Sequence, residues 1–304
     1  MPPEGFEVAY HSPADADVPA LMKTSAALVI PAVGPKLASA LFEGTSLKLV
    51  QVTGAGVDRL DQAALTKLGI PVANVAGGSN SAVAEYAVTA ASTLLRRMAW
   101  SDAEIKNGNY VKYRARMVAD NLAGIEGLLV GLVGFGTIGR AVAKAFEAMG
   151  CRICYFDPAA APASGQRTRV NSLQELLATA DVLSLHVPLL PETQNLIGAR
   201  ELAMMKKDAV LIHAARGGVV DEAALAAALT EGRIGGAAVD VYSTEPPPSD
   251  NPLLTLKGEG ASRILLTPHI AGVTRQASAF LFRTAWQNVK RVLIDRQPPD
   301  NRVY

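Results

Sequence analysis

From residue 128 to residue 157 the chain runs apolar strand, glycine loop, amphipathic helix, apolar strand, acid, and few folds accept that succession. Leu128–Val133 is a short, wholly apolar run, the pattern of a strand buried on both faces of a parallel sheet. Gly134-Phe135-Gly136-Thr137-Ile138-Gly139 then matches G-x-G-x-x-G. The first glycine makes the turn, the second opens the backbone to a pyrophosphate, and the third lets helix pack on strand. A helix over Ile138–Met149, closed by Gly150, offers free N–H groups and a positive dipole end to phosphates. The next strand, Arg152–Phe156, leads into Asp157, an acid placed to bind the adenosine ribose hydroxyls and repel a 2′-phosphate. No cation follows at once in Pro158-Ala159-Ala160, which favours NAD over NADP. Glycines in any tight turn could mimic the loop, and Asp157 could merely open a turn before Pro158. The register of all five features favours the nucleotide reading.

Strand-like runs alternate with helical patterns on both sides of this block, which predicts α/β architecture with parallel sheets. Phe6–Tyr10, Ala27–Ile30, Lys48–Val52 and Ile70–Asn74 read as strands, with a helix at Asp61–Leu68 and a long one from Ser81 to Met98. Further on, Ser172-Leu173-Gln174-Glu175 is a capping box and Asp221 caps a helix ending at Gly232. Val182–His186, Ala209–His213, Gly236–Val241 and Arg263–Thr267 are further strands, and Gln276–Arg291 a last helix. A length of 304 residues suggests two domains. With 29 basic against 28 acidic residues the net charge is +1, which argues against nucleic acid or an anionic membrane as partner but leaves room for a small anion. No apolar run is long enough for a membrane span, and Met1-Pro2-Pro3-Glu4-Gly5 lacks the features of a signal peptide, so the expected location is cytoplasmic. Cys151 and Cys154 form a C-x-x-C within a strand, where residues three apart face opposite ways. They read as ordinary strand thiols, not a redox pair, and no metal site is expected.

Three more stretches each follow a strand: His213-Ala214-Ala215-Arg216-Gly217-Gly218, Asp240-Val241-Tyr242-Ser243-Thr244-Glu245-Pro246, and Thr267-Pro268-His269-Ile270-Ala271-Gly272. Ligands of open parallel sheets bind beyond the carboxyl ends of the strands, so Arg216, Glu245 and His269 are expected along one edge. With the glycine loop, His186-Val187-Pro188-Leu189, Gly54-Ala55-Gly56-Val57-Asp58 and Ala82-Val83-Ala84-Glu85, these stretches resemble the D-isomer-specific 2-hydroxyacid dehydrogenases along nearly the whole chain. The resemblance implies a Rossmann NAD-binding domain over residues 97–275. It implies a smaller flavodoxin-like α/β substrate domain from residues 1–96, to which the helix and tail of 276–304 return. It also implies a homodimer formed through the nucleotide domains.

The same resemblance assigns roles. His269 is the acid/base, since imidazole titrates near working pH. Glu245 steadies the ring and offsets its charge, and Arg216 holds the substrate carboxylate and polarises the carbonyl. Ala55, Gly56, Gly77 and Gly78 join Arg216 as substrate contacts. Cofactor contacts fall on Gly134, Gly136, Thr137, Ile138, Gly139, Asp157, His186, Val187, Pro188, Thr193, Ala214, Ala215, Arg216, Asp240, His269, Ala271 and Gly272. Each residue has a plainer reading: His269 as a satisfied loop histidine, Arg216 as a surface ion-pair partner, Glu245 as a solvated residue before proline. Their coincidence favours catalysis. Glu245 stands where the formate-oxidising branch carries Gln, which points to a hydroxyl substrate. The expected activity is NAD-dependent interconversion of a D-2-hydroxy acid and its 2-oxo acid. An NAD(H)-sensing corepressor is the alternative, because such relatives keep the same triplet.

Overall fold

The computed structural model describes residues 4–160 and 167–304. The chain forms two compact units, one from Met1–Ser79 with Val273–Tyr304, the other from Asn80–Gly272. The divisions fall at 79/80 and 272/273 in place of 96/97 and 275/276. The first shift has a packing cause: the helix that opens the second unit, α3 (Asn80–Leu95), buries Ala84, Ala87, Ala90 and Ala91 in that unit's own core.

The first unit contains α1 (Val18–Thr24), β1 (Ala27–Ile30), β2 (Leu49–Val52), α2 (Gln62–Lys67), β3 (Val72–Ala73) and, from the far end of the sequence, α11 (Arg275–Leu293). Its sheet is parallel in the order β1-β2-β3. Asp61 caps α2 through the Ala64 N–H at 3.0 Å, and Gly69 supplies the left-handed residue beyond its end. The strand expected at Phe6–Tyr10 does not form. Only Phe6 and Val8 turn inward, no neighbouring strand pairs with this segment, and Phe6 packs against Trp286 of α11 at 6.1 Å. The carboxyl tail covers the outer edge of β3 instead. Val72 donates to the Tyr304 carbonyl and Val303 to the Val72 carbonyl, at 2.9 and 2.8 Å. Buried Asn288 ties α11 to Gln51 of β2 and to the backbone of Asp300.

Arg59 organises the loops after β1 and β2. It is 5% exposed, donates from Nε to the Pro35 carbonyl and from Nη1 to the Pro31 carbonyl, both at 2.9 Å, and pairs with no carboxylate among the described residues. Burial lowers its pKa. Gly34, at φ +135, lies against the guanidinium where no Cβ would fit. Arg59→Met strands two carbonyls that the arginine now satisfies, and is expected to lower stability by about 2–4 kcal/mol. Urea unfolding followed at Trp286 measures it, and a loss under about 0.5 kcal/mol, the scatter of ordinary surface changes, would contradict this account.

The second unit adds α4 (Met98–Lys106), α5 (Tyr110–Ala119), β4 (Leu129–Val133), α6 (Thr137–Ala148), β5 (Arg152–Phe156), β6 (Arg167–Arg169), α7 (Leu173–Thr179), β7 (Val182–Leu185), α8 (Ala199–Met204), β8 (Val210–His213), α9 (Glu222–Thr230), β9 (Gly236–Val239), α10 (Gly258–Ser262) and β10 (Ile264–Leu266). Its seven parallel strands run β10-β9-β8-β7-β4-β5-β6, a doubly wound Rossmann order that reverses beside β4. Alternate residues of each strand feed separate cores. Leu183, Leu185 and Leu211 pack with α7, α8 and α9 on one face; Val130, Leu132 and Ile212 pack with α3 and α6 on the other. The long helix expected over Ser81–Met98 ends at Leu95, because Arg97 adopts φ +48 and turns the chain into α4. Cys151 and Cys154 are buried thiols bonded to the carbonyls of Ile125 and Val130, and burial raises both pKa values, Cys154 to about 11. That removes the thiolate a redox role needs.

Candidate active site

The glycine loop leaves β4 at the point where strand order reverses. Gly134 takes φ +90, and any side chain there would run into the His186 carbonyl; one on Gly139 would run into the Gly134 carbonyl. Gly136 differs, for a Cβ there meets nothing within 4 Å. It is the N-cap of α6, no side chain caps the helix, and no acid occupies its first turn. An open backbone before uncapped N–H groups fits a pyrophosphate. Thr137 lies exposed at this mouth and Ile138 half-buried.

Asp157 shapes its corner. Oδ2 accepts from the Phe135 N–H at 2.7 Å; Oδ1 accepts from Ala159 and Ala160 at 2.8 and 3.0 Å. The turn before Pro158 and the glycine loop thus share one carboxylate. Sequence order hid a neighbour: Arg169 on β6 donates to the carbonyls of Asp157 and Pro158 at 3.0 and 3.3 Å. The β5–β6 pairing brings it there, from twelve residues along the chain. Other residues expected to touch the cofactor also make contacts within the protein. His186 turns its Nε2 to Ser184 Oγ at 2.9 Å, and burial lowers its pKa to about 4. Thr193 closes the turn after Val187 by donating to the Pro188 carbonyl at 2.7 Å. Ala214 and Ala215 continue β8, where the buried His213 has its pKa lowered to about 3 by burial and by His186.

The residues expected to be catalytic lie beyond β8, β9 and β10. His269 Nδ1 lies 2.8 and 3.1 Å from the two Glu245 oxygens, and both side chains are about a quarter exposed (26% and 28%). The ring nitrogen facing a carboxylate carries the hydrogen, so Nε2 remains for exchange with a ligand. His269 sits at φ +56, a strained backbone for a non-glycine residue, costing about 1–3 kcal/mol. Asp240 holds it there. The Asp240 carbonyl accepts the His269 N–H at 2.8 Å, Oδ1 accepts Ile270 N–H and Thr267 Oγ1, and Oδ2 accepts Ala271 N–H. Three donors thus converge on the buried Asp240 carboxylate and tie it to its own loop as far as Ala271, the residue before Gly272.

Glu245 is fixed in turn. Its Oε1 accepts the Tyr242 N–H at 3.0 Å, and Glu222 at the start of α9 grips the same loop through Ser243 N–H and Asn251 Nδ2, both at 2.6 Å. Glu222 was not foreseen, though an acid in the first turn of a capped helix was visible. Arg216 is half-buried and donates from Nη1 to the Ala215 carbonyl at 2.7 Å. The next residue, Gly217, abuts the Tyr242 carbonyl so closely that no side chain could fit. The loops bearing Arg216 and Glu245 therefore touch.

Apart from Arg216, the expected substrate contacts, Ala55, Gly56, Gly77 and Gly78, belong to the first unit. The N–H groups of Ala55 and Gly56 take no acceptor among the described residues, and the Ala55 carbonyl is held by Asn74 Nδ2 at 2.7 Å. Gly77 takes φ +80. Gly78 is small for a packing reason, since Leu281 and Phe280 of α11 occupy the space beside it.

Comparison with known proteins places this arrangement. The pattern of the D-isomer specific 2-hydroxyacid dehydrogenase NAD-binding domain matches residues 88–271. The chain is 36% identical over 257 residues to a glycerate dehydrogenase of Methylorubrum extorquens, covering 84% of this chain and 79% of that one. It is 37% identical over 236 residues to a D-3-phosphoglycerate dehydrogenase of Archaeoglobus fulgidus, covering 76% of this chain but only 42% of the relative, so it spans less than half of that enzyme. The crystal structure of Rhodotorula graminis D-mandelate dehydrogenase is similar with a TM-score of 0.80 at 27% identity, over 95% of this chain and 86% of that one. The chain belongs to the D-isomer specific 2-hydroxyacid dehydrogenase family, with NAD as its cofactor and oxidoreduction of a CH–OH group as its chemistry.

Proposed function

We propose that the chain reduces small 2-oxo acids to D-2-hydroxy acids, and catalyses the reverse oxidation, with His269 as acid/base, Glu245 as its partner and Arg216 as the substrate-carboxylate clamp. The observation that carries this reading is the pairing of His269 Nδ1 with both Glu245 oxygens, which leaves Nε2 to handle a proton. When bound, NADH supplies the hydride to the carbonyl carbon. His269 gives the proton of Nε2 to the carbonyl oxygen and recovers it from the hydroxyl in the other direction. Glu245 keeps the ring in one orientation and offsets its positive charge while it is protonated. Arg216 offers a planar fork to the substrate carboxylate and draws charge from the forming oxyanion.

We further infer a homodimer. The α4–α5 hairpin exposes Met98, Ile105, Tyr110, Val111 and Val118, apolar surface that a second copy would cover. The retention of both cysteines as buried thiols suits a reducing cytoplasm.

One experiment tests the function directly. Glyoxylate, hydroxypyruvate, pyruvate and longer 2-oxo acids are supplied with NADH and, in parallel, NADPH, and coenzyme oxidation is followed. The expected result is turnover of at least one small 2-oxo acid with NADH preferred. Tight NADH binding with no turnover of any acid would overturn the enzymatic reading and favour an NAD(H)-sensing protein.

A further inference from the structure

Thr267 stands two residues before His269, and a tyrosine hydroxyl reaches each of its polar ends. Tyr86, on α3, lies 2.7 Å from Thr267 Oγ1, and Tyr242 donates to the Thr267 carbonyl at 3.1 Å. Thr267 Oγ1 lies 2.6 Å from Asp240 Oδ1. The direction of the chain of hydrogens follows from chemistry. A carboxylate has none to give, so Thr267 donates to Asp240 and its oxygen must accept from Tyr86. Burial, the largest cause, together with the nearby Asp240 carboxylate raises the Tyr86 pKa to about 12, so the phenol keeps its hydrogen at every working pH. The same Asp240 carboxylate takes the N–H groups of Ile270 and Ala271, the two residues after His269. Tyr86 is therefore the far end of a three-group chain that ends on the loop holding the imidazole at φ +56.

We propose that Tyr86 is a positioning residue for proton transfer: through Thr267 and Asp240 it fixes the loop that aims His269 Nε2. The proposal rests on His269 being the acid/base of the reading above. The phenol orients the threonine hydroxyl, and the hydroxyl orients the carboxylate. The carboxylate then pins the backbone on the carboxyl side of His269, while the Asp240 carbonyl pins its N–H. Loosening the first link lets the ring drift, and small misplacements of a reacting group are costly.

The test uses the full chain with Tyr86→Phe, Thr267→Val, Thr267→Ser and the Tyr86→Phe/Thr267→Val pair. Tyr86→Phe is expected to lower kcat about tenfold, with the Kd for NADH and the KM for the 2-oxo acid within about twofold. Thr267→Ser should retain wild-type turnover, because it keeps the hydroxyl. In the Thr267→Val background the Tyr86→Phe change should cost less than about twofold, since the link it removes is already gone. A second readout is independent of turnover. The His269 imidazole nitrogens, followed by NMR across pH, should show an altered titration midpoint or a broadened Nδ1–H signal in Tyr86→Phe, with the melting temperature held within a few degrees. Multiplicative losses in the pair, or a Tyr86→Phe protein with unchanged turnover and unchanged His269 signals, would overturn the proposal. If the wild-type chain turns over no 2-oxo acid, the functional reading fails by itself, and the His269 signals alone decide whether Tyr86 positions the ring.

Discussion

His269→Asn is expected to cut kcat for 2-oxo acid reduction by about 10³–10⁴-fold, near the upper limit of what one acid/base group contributes, while NADH affinity changes by no more than about threefold. Asparagine is the informative replacement because the backbone here sits at φ +56, a region that asparagine tolerates better than most residues. The loop can then stay in place while the exchangeable proton on Nε2 is lost. Glu245→Gln should cost less, because an amide oxygen in the place of Oε1 can still accept from Nδ1 and from Tyr242 N–H but carries no charge to match an imidazolium. Steady-state rates with NADH, paired with fluorescence titration of NADH binding, separate the two effects. A His269→Asn enzyme retaining more than about a tenth of wild-type kcat would remove His269 from the reaction, since general acid/base groups are worth at least about a hundredfold.

The second large effect is on stability. His186 and His213 end neighbouring strands β7 and β8, and burial lowers their pKa values to about 4 and about 3. Both fold as neutral rings, and His213 Nδ1 is buried without a partner among the described residues. In the unfolded chain each takes up a proton near pH 6.5. Below that pH the unfolded state binds more protons than the folded one, so stability falls as pH falls. The fall begins near pH 6.5, loses the His186 contribution near pH 4 and the His213 contribution near pH 3. With both rings active the slope is roughly 2–3 kcal/mol per pH unit. The carboxylates of Glu147 and Glu259, whose pKa values are lowered by Arg167 and Arg116, act in the same direction but only nearer pH 4. Urea unfolding of the nucleotide unit, followed at Trp100 in a Trp286→Phe chain between pH 7 and pH 4.5, gives the slope. His213→Gln should halve it. A wild-type slope under about 1 kcal/mol per pH unit would mean that the rings are not excluded from protonation.

Much of the nucleotide unit was legible because its signals are local. The G-x-G-x-x-G loop needs only neighbours in sequence to show its purpose, and the caps at Ser172 and Asp221, like that at Asp61 in the smaller unit, accept their own helices' N–H groups. The triplet was readable as residue types on three strand ends. What escaped depends on pairing between distant segments. Arg169 reaches Asp157 only because β6 lies beside β5, and Glu222 reaches Ser243 only because α9 returns beside the loop after β9. The Phe6–Tyr10 segment carried a strand-like pattern with no partner to confirm it, and the edge beyond β3 went to the tail. Tyr86 sat inside an alanine-rich helix where its phenol had no visible purpose until Thr267 stood opposite.

The tail paired with β3 also sets an order of assembly. Residues 80–272 hold all seven strands of the larger sheet and can complete their core while the chain is still being made. The smaller unit cannot, because α11 and the edge partner of β3 are the last residues synthesised in the described chain. Its three short strands emerge before residues 80–272 and wait for α11, with β3 open along one side, so nascent chains are most exposed to misassociation through the β1–β3 segment.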